Sequence, residues 1–236
     1  MKKIEAFSTV AQDIFINEAG NILKQLPGGP ATFIKPVFED LGIDYVLNLA
    51  DEVTVEILLT AQGEFGRITT SPKQRRIKPQ RPDSVLLVST LLDEWLPPLS
   101  QSVIFLDVQG YVRDGNNFGA MKPFVISPSL ANQLVCVKAE ESEAQFLEDD
   151  FLAAQKMKQL AITKGSRGLD LYVGGKVFEI PTRDITGLPD TVGAGDTWFS
   201  AYVGYQIQGY SCLDAAKMAM QYVSNFLEQK RSTNEK

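Results

Sequence analysis

The chain has 236 residues, 44% of them hydrophobic, and 23 Lys and Arg against 29 Asp and Glu give a net charge of −6. That is enough apolar material for a sizeable core, while an acidic balance argues against broad binding to nucleic acid or anionic membrane, which want a basic face. Histidine is absent, which removes Ser-His-Asp and Cys-His nucleophilic sites, HExxH zinc sites and imidazole acid–base chemistry together. Carboxylates, lysines and backbone dipoles must carry any reaction.

Cys136 and Cys212 stand far apart and form no CxxC pair, which fits two thiols in a reducing compartment better than a disulfide. The opening MKKIEAFSTVAQDIF has no continuous apolar run and does not read as a signal peptide. The most apolar stretch, SVLLVSTLL at 84–92, falls well short of a membrane span of about 20 residues. The expectation is a soluble cytoplasmic protein with neither a nucleic-acid nor a membrane partner.

In chain order, DIFINEAGNILKQL (13–26) turns near Gly20 and is a candidate hairpin. Residues 30–41 open on Pro30 and stop at Gly42, a helix pattern that Pro36 would bend. DYVLNLA (44–50) reads as a buried strand, and VTVEILLTAQGEFGRITTSP (53–72) alternates and turns at Gln62-Gly63, an antiparallel hairpin with a half-exposed face. The basic run PKQRRIKPQRP (72–82) reads as a solvated loop. The runs at 84–90, 102–108, 123–127, 134–138 and 159–163 are Val- and Ile-rich without polar alternation, the mark of strands buried on both faces. A helix is expected over 140–158, acids early and lysines late. The last helix begins at a Ser211–Asp214 capping box and carries the apolar stripe Leu213, Ala216, Met220, Val223 and Leu227. Together these predict a three-layer α/β/α domain over 1–236, with a mostly parallel central sheet and a small β lid from about 13–26 and 53–72.

The chemistry concentrates in DTVGAGDTWFSAYVGYQIQG (190–209). Gly193, Ala194 and Gly195 form a small-residue turn before an apolar helix from about 196 to 208, leaving backbone N–H groups pointing outward at a positive helix end. Such a turn suits phosphate oxygens or charge developing on them. Asp196 beside it makes sense as a base that takes a proton from a hydroxyl attacking phosphorus. An ordinary glycine-rich loop with Asp196 as N-cap is the competing reading of the same residues. GxxxxGK[ST] and GxGxxG are both absent, which excludes the P-loop and the dinucleotide fingerprint of dehydrogenases.

DTVGAGD (190–196) resembles the C-terminal signature of the ribokinase family, the PfkB-type carbohydrate kinases. The resemblance implies a ribokinase-like fold and ATP-dependent phosphorylation of a hydroxyl on a small polyol, with Mg2+. It makes Asp196 the catalytic base and Gly193, Ala194 and Gly195 the anion hole. ITKGSRGLDLYVGGKVFEIP (162–181) is similar to the segment before the signature, placing Lys164, Gly165, Ser166 and Gly168, with Thr191 of the signature, along the nucleotide. PGGPATF (27–33) resembles the substrate glycine pair, Gly28 and Gly29, and Asp13 the N-terminal aspartate that receives substrate hydroxyls. Phe33 stands where many sugar kinases carry a substrate-contacting Asn, and is expected to give the acceptor an apolar wall or to belong to the helix core. LDVQGYVR (106–113) is similar to a segment of sugar and inositol kinases.

KAEESEA (138–144) takes the place of the NxxE element, with Glu143 matching and Glu140 replacing Asn. The pair would hold magnesium indirectly, through water, or Glu140 would cap the helix. The chain is shorter than usual for the family, which implies a short lid and some hydrolysis of ATP by water. The apolar face of the 53–72 hairpin must cover the substrate or meet a second copy, so a homodimer through the lid is one of two expectations. A non-catalytic nucleotide- or sugar-binding module of the same fold is the functional alternative.

Overall fold

Continuous apolar runs end up as the central strands because both of their faces are covered. The computed structural model describes residues 3–60, 63–98, 101–115, 117–182 and 191–234. Its main sheet has eight strands: β1 (Ile4–Ser8), β4 (Tyr45–Leu49), β7 (Val85–Ser89), β8 (Val103–Asp107), β9 (Leu134–Glu140), β10 (Gln159–Thr163), β11 (Leu169–Val173) and β12 (Lys176–Ile180). They run in the order β12-β11-β10-β9-β8-β7-β1-β4, parallel from β10 to β4, with β11 and β12 antiparallel at one edge.

Strand alternation sorts the core into two halves. Ile4, Ala6, Val85, Leu87, Phe105 and Cys136 face the helices α1 (Pro30–Asp40), α3 (Ala194–Ile207) and α4 (Cys212–Asn234). Phe7, Leu86, Val88, Ile104, Leu106 and Val137 face the other side, packed with Phe151 of α2 (Asp149–Lys156) and Leu130 of the short helix Pro128–Gln133. The expected three-layer α/β fold is what the chain forms.

A second sheet stands beside it. The strands β2 (Ala11–Ile16) and β3 (Ile22–Gly28) turn at Gly20, where φ is 78°. β5 (Val53–Thr60) and β6 (Gly63–Ile68) pair antiparallel, and β2 pairs parallel with β5, giving the order β3-β2-β5-β6. Ala11, Val53 and Val55 close this sheet onto Leu91 of the main body. The Gln62-Gly63 turn expected in this hairpin includes Gln62, outside the described residues, as is Asp190 of the signature.

Several elements differ from the sequence expectation. Residues 123–127 form no strand. Pro123 and Pro128 bracket the stretch, Phe124 stacks on Tyr111 at 4.7 Å, and Val125 is exposed; proline removes ladder donors, and packing of the rings takes over. The helix expected over 140–158 is broken into the turn Glu141–Ala144, which opens on a Glu140–Glu143 capping box, and α2: Phe146 and Leu147 N–H bond back only three residues, to Glu143 and Ala144 O, and a new helix starts after Glu148. The apolar pattern does not mark β1, because Glu5 interrupts its run. Glu5 is fully buried, and its carboxylate accepts the main-chain N–H of Gln80 at 2.8 Å and of Arg81 at 3.1 Å. The basic run is therefore tethered through its backbone, with Ile77 buried and Arg75 paired to Asp51. Among the described residues, no helix is long and apolar enough to cross a membrane.

Candidate active site

In a parallel sheet, side chains at the carboxyl ends of neighbouring strands converge on one edge, where ligands of such folds bind. Here that edge collects Ser89 at the end of β7, Asp107 at the end of β8 and Lys138 near the end of β9, with Asp107 and Lys138 paired in register. Lys138 Nζ donates to Asp107 Oδ2 at 2.6 Å, and both side chains are almost fully buried. Ser89 Oγ lies 3.0 Å from Asp196 Oδ1 and 3.4 Å from Asp107 Oδ2, so one hydroxyl bridges the two carboxylates. Three strand ends thus fix a carboxylate that belongs to α3.

Gly193 is the N-cap of α3, left-handed at φ 81° and ψ −2°. A Cβ there would sit 2.2 Å from the Phe33 ring, so both the backbone angle and the neighbour require glycine. Ala194 N–H closes the turn on Thr191 O at 3.1 Å, and Thr197 N–H makes the first helical bond, to Gly193 O at 2.9 Å. The N–H groups of Gly193, Gly195 and Asp196 have no partner among the described residues. Asp196 is not the N-cap: it sits in the first helical turn and its side chain turns to Ser89. The capping reading of that aspartate therefore falls.

Burial raises the Asp196 carboxyl to about 6, the Asp107 charge adds to the rise, and the Lys138 and Arg113 charges with the Ser89 hydroxyl oppose it. Burial works against the Lys138 charge, but Asp107, Glu143 and Asp196 outweigh it and the ammonium is held above its ordinary value. Glu143 is likewise raised by burial. A base poised near 6 beside a locked ammonium can accept a proton at neutral pH without being idle as a strong-acid carboxylate.

A cavity of about 480 Å³ opens over this edge. Of the residues singled out from sequence, Gly193, Ala194, Gly195, Asp196, Thr191, Gly165, Ser166, Gly168, Glu140 and Glu143 all line it. Lys164 does not, since its ammonium is paired with Asp170 at 2.5 Å. Glu140 and Glu143 form a reciprocal capping box, Glu140 N–H donating to Glu143 Oε2 at 2.7 Å. The helix-capping reading of Glu140 is thus realised, with both residues still at the cavity wall.

Asp13, Gly28 and Gly29 lie together at the start of α1, apart from that lining. A Cβ on Gly28 would meet the Asp13 carboxylate at 2.2 Å, and Gly29, at φ 79°, has Thr9 O 2.6 Å from the same point. The Asp13 carboxyl is raised to about 6 by burial, and no protein group among the described residues hydrogen-bonds it. Phe33, one turn into α1, sets its ring behind Gly193 and meets Phe226 edge-on at 6.2 Å. That contact brings the start of α1 alongside the turn.

Sequence patterning assigns no role to Ser89, Asp107, Lys138 or Arg113. The legible signal was a charge closing an otherwise apolar strand, as in VIFLD and LVCVK.

Residues 119–235 match the family model described as pfkB family carbohydrate kinase. A nucleoside kinase of Methanocaldococcus jannaschii is 25% identical over 111 residues, which is 41% of this chain and 36% of that relative. The chain thus spans about a third of the length of the curated relative it matches. The structure of a nucleoside kinase of M. jannaschii, an archaeal member of the ribokinase family, superposes with a TM-score of 0.70 at 14% identity, over 97% of this chain and 92% of the other. Arabidopsis thaliana ribokinase with ribose and ATP gives 0.70 at 15%, over 95% and 92%. A pyrophosphate-dependent kinase of the ribokinase family, with a pyrophosphate analogue and myo-inositol, gives 0.68 at 16%, over 95% and 94%. The chain carries the ribokinase fold throughout, and its residues 119–235 match the pfkB family of carbohydrate kinases.

Proposed function

We propose that this protein transfers the terminal phosphoryl group of ATP to a hydroxyl of a small neutral polyol: a sugar, an inositol or a nucleoside. The observation that carries the reading is the meeting, on one cavity wall, of the Asp196 carboxylate with three N–H groups, of Gly193, Gly195 and Asp196, that have no partner among the described residues. The N–H groups suit charge on phosphoryl oxygens, and a carboxylate there is useful only if it takes a proton. A pure binding module would gain nothing from it. Gly165, Ser166 and Gly168 line the same cavity as Met220, Val223 and Leu227 of α4, which supports phosphates beside an apolar wall for a base. Lys164, paired with Asp170, is proposed to flank this site rather than to reach the phosphates.

Among the described residues no three acidic side chains converge on one point. Glu143 and Glu140, at the cavity wall, therefore fit Mg2+ held through water and donor phosphates rather than in an all-protein cage. Bound there, the ion would neutralise phosphate charge.

The acceptor is assigned to Asp13, whose carboxylate has no partner among the described residues, and to the main chain at Gly28-Gly29. A carboxylate takes two hydroxyl hydrogens at once and repels an acceptor that is already phosphorylated. Asp13→Ala should raise KM for the acceptor at least tenfold, as loss of a charged hydrogen bond of about 1.5–3 kcal/mol implies, and leave KM for ATP nearly unchanged. Equal effects on both would overturn the acceptor assignment. The second sheet is proposed as the lid over this acceptor. Ile22, Leu23 and Leu26 are exposed on its edge strand β3, which favours a homodimer through that sheet; light scattering should report twice the chain mass, and a monomer would refute it. A cytoplasmic location agrees with the two free thiols, Cys136 and Cys212.

A further inference from the structure

Lys138 is a charged residue near the end of a buried strand, and its surroundings ask more of it than neutralising Asp107. Among the described residues its ammonium makes one hydrogen bond, to Asp107 Oδ2 at 2.6 Å, whereas an ammonium has three N–H donors. Its Nζ stands 3.3 Å from the point a Cβ on Gly195 would occupy, directly behind the turn whose N–H groups have no partner among the described residues. It also lines the cavity together with Gly193, Gly195 and Asp196.

We propose that Lys138 is a phosphoryl-binding residue, whose remaining N–H donors hold the terminal phosphoryl group of ATP at the Gly193–Gly195 turn while Asp107 anchors it from behind. The proposal rests on the reading of the protein as an ATP-dependent kinase. In the step it serves, the acceptor oxygen forms a bond to phosphorus as the bond to the ADP oxygen breaks and its electron pair leaves with ADP. The acceptor proton passes to Asp196, and Lys138 keeps its own proton throughout. A fixed ammonium beside the equatorial oxygens stabilises charge without reorganising as the reaction proceeds.

Binding of ATP and of ADP, each with Mg2+, tests this by calorimetry. Lys138→Met alone leaves Asp107 buried and unpaired, so the informative variant is Lys138→Met with Asp107→Asn, which removes both charges and keeps the Oδ1 acceptor of the Gln109 N–H. With a wild-type far-UV spectrum, this variant should bind ADP within about threefold of wild type and ATP at least tenfold more weakly, the loss expected for one charged hydrogen bond. Its kcat on the acceptor found for the wild type should fall by about 10²–10³. Asp107→Asn alone, which retains the ammonium, should keep most of the preference for ATP over ADP. An ATP-to-ADP affinity ratio equal to wild type in the folded double variant would overturn the role of Lys138 and leave the kinase reading standing. Wild-type protein that binds neither nucleotide would overturn both.

Discussion

Asp196→Asn should lower kcat on the true acceptor by on the order of 10²–10⁴, the usual contribution of a general base, with ATP binding close to wild type. Asn keeps the shape and can still accept from Ser89 Oγ, which lies 3.0 Å away, so what is lost is the proton acceptor. The wild-type kcat should rise with pH along an acid limb centred near 6, where burial has placed the Asp196 carboxyl. The effect on stability runs the other way. A carboxyl raised above its ordinary 3.8 binds its proton more tightly in the fold than in the unfolded chain, so its contribution to stability falls as pH rises from about 4 to about 6. The Asn variant escapes that loss, and its Tm at pH 8 should be no lower than wild type. A variant that is folded, at least as stable, and inactive isolates the chemistry; near-wild-type turnover would remove the base assignment.

Gly193→Ala should be the more damaging change to the fold and comparably damaging to the rate. An L-residue at φ 81° costs about 1–2 kcal/mol. The added methyl would stand 2.2–2.4 Å from three atoms of the Phe33 ring, and overpacking of this kind costs about 1–3 kcal/mol more. Relief requires moving either the ring, which is braced by Phe226, or the turn, which aims the N–H donors. Misdirecting one donor is worth about 10²–10³ in kcat. Gly195→Ala should be milder, since its Cβ would meet the end of a lysine side chain at 3.3 Å. Side chains at the two glycines would point toward Phe33 and Lys138 respectively. Urea melts and kcat together check the ordering, and a Gly193→Ala variant as stable and active as Gly195→Ala would contradict it.

What was legible in the sequence, and what was not, follows from the range of each signal. β10 is read at its true bounds, and α1 ends as expected with Pro30 at its start and Gly42 beyond it at φ 63°, because run length and capping chemistry are local. The turn at Gly193 was legible for the same reason. Lys138, Asp107 and Ser89 were not, because they stand 31 and 18 residues from one another in sequence for the pairs they form and meet only through strand order. Phe33 is a similar case: whether its ring faces an acceptor, the helix core or Gly193 depends on how α1 docks against α3. Residues 123–127 failed for a different reason, since an apolar run between two prolines satisfies a strand pattern while lacking the donors a ladder needs.

The most direct test of the central claim is the product itself. Protein incubated with ATP, Mg2+ and a panel of unphosphorylated sugars, inositols and nucleosides, followed by phosphorus NMR, should show one acceptor converted to a phosphate monoester in step with ADP formation, and neither signal with Asp196→Asn. ADP formation that no member of the panel accelerates, or an ester formed equally well by Asp196→Asn, would contradict phosphoryl transfer to a polyol through this base.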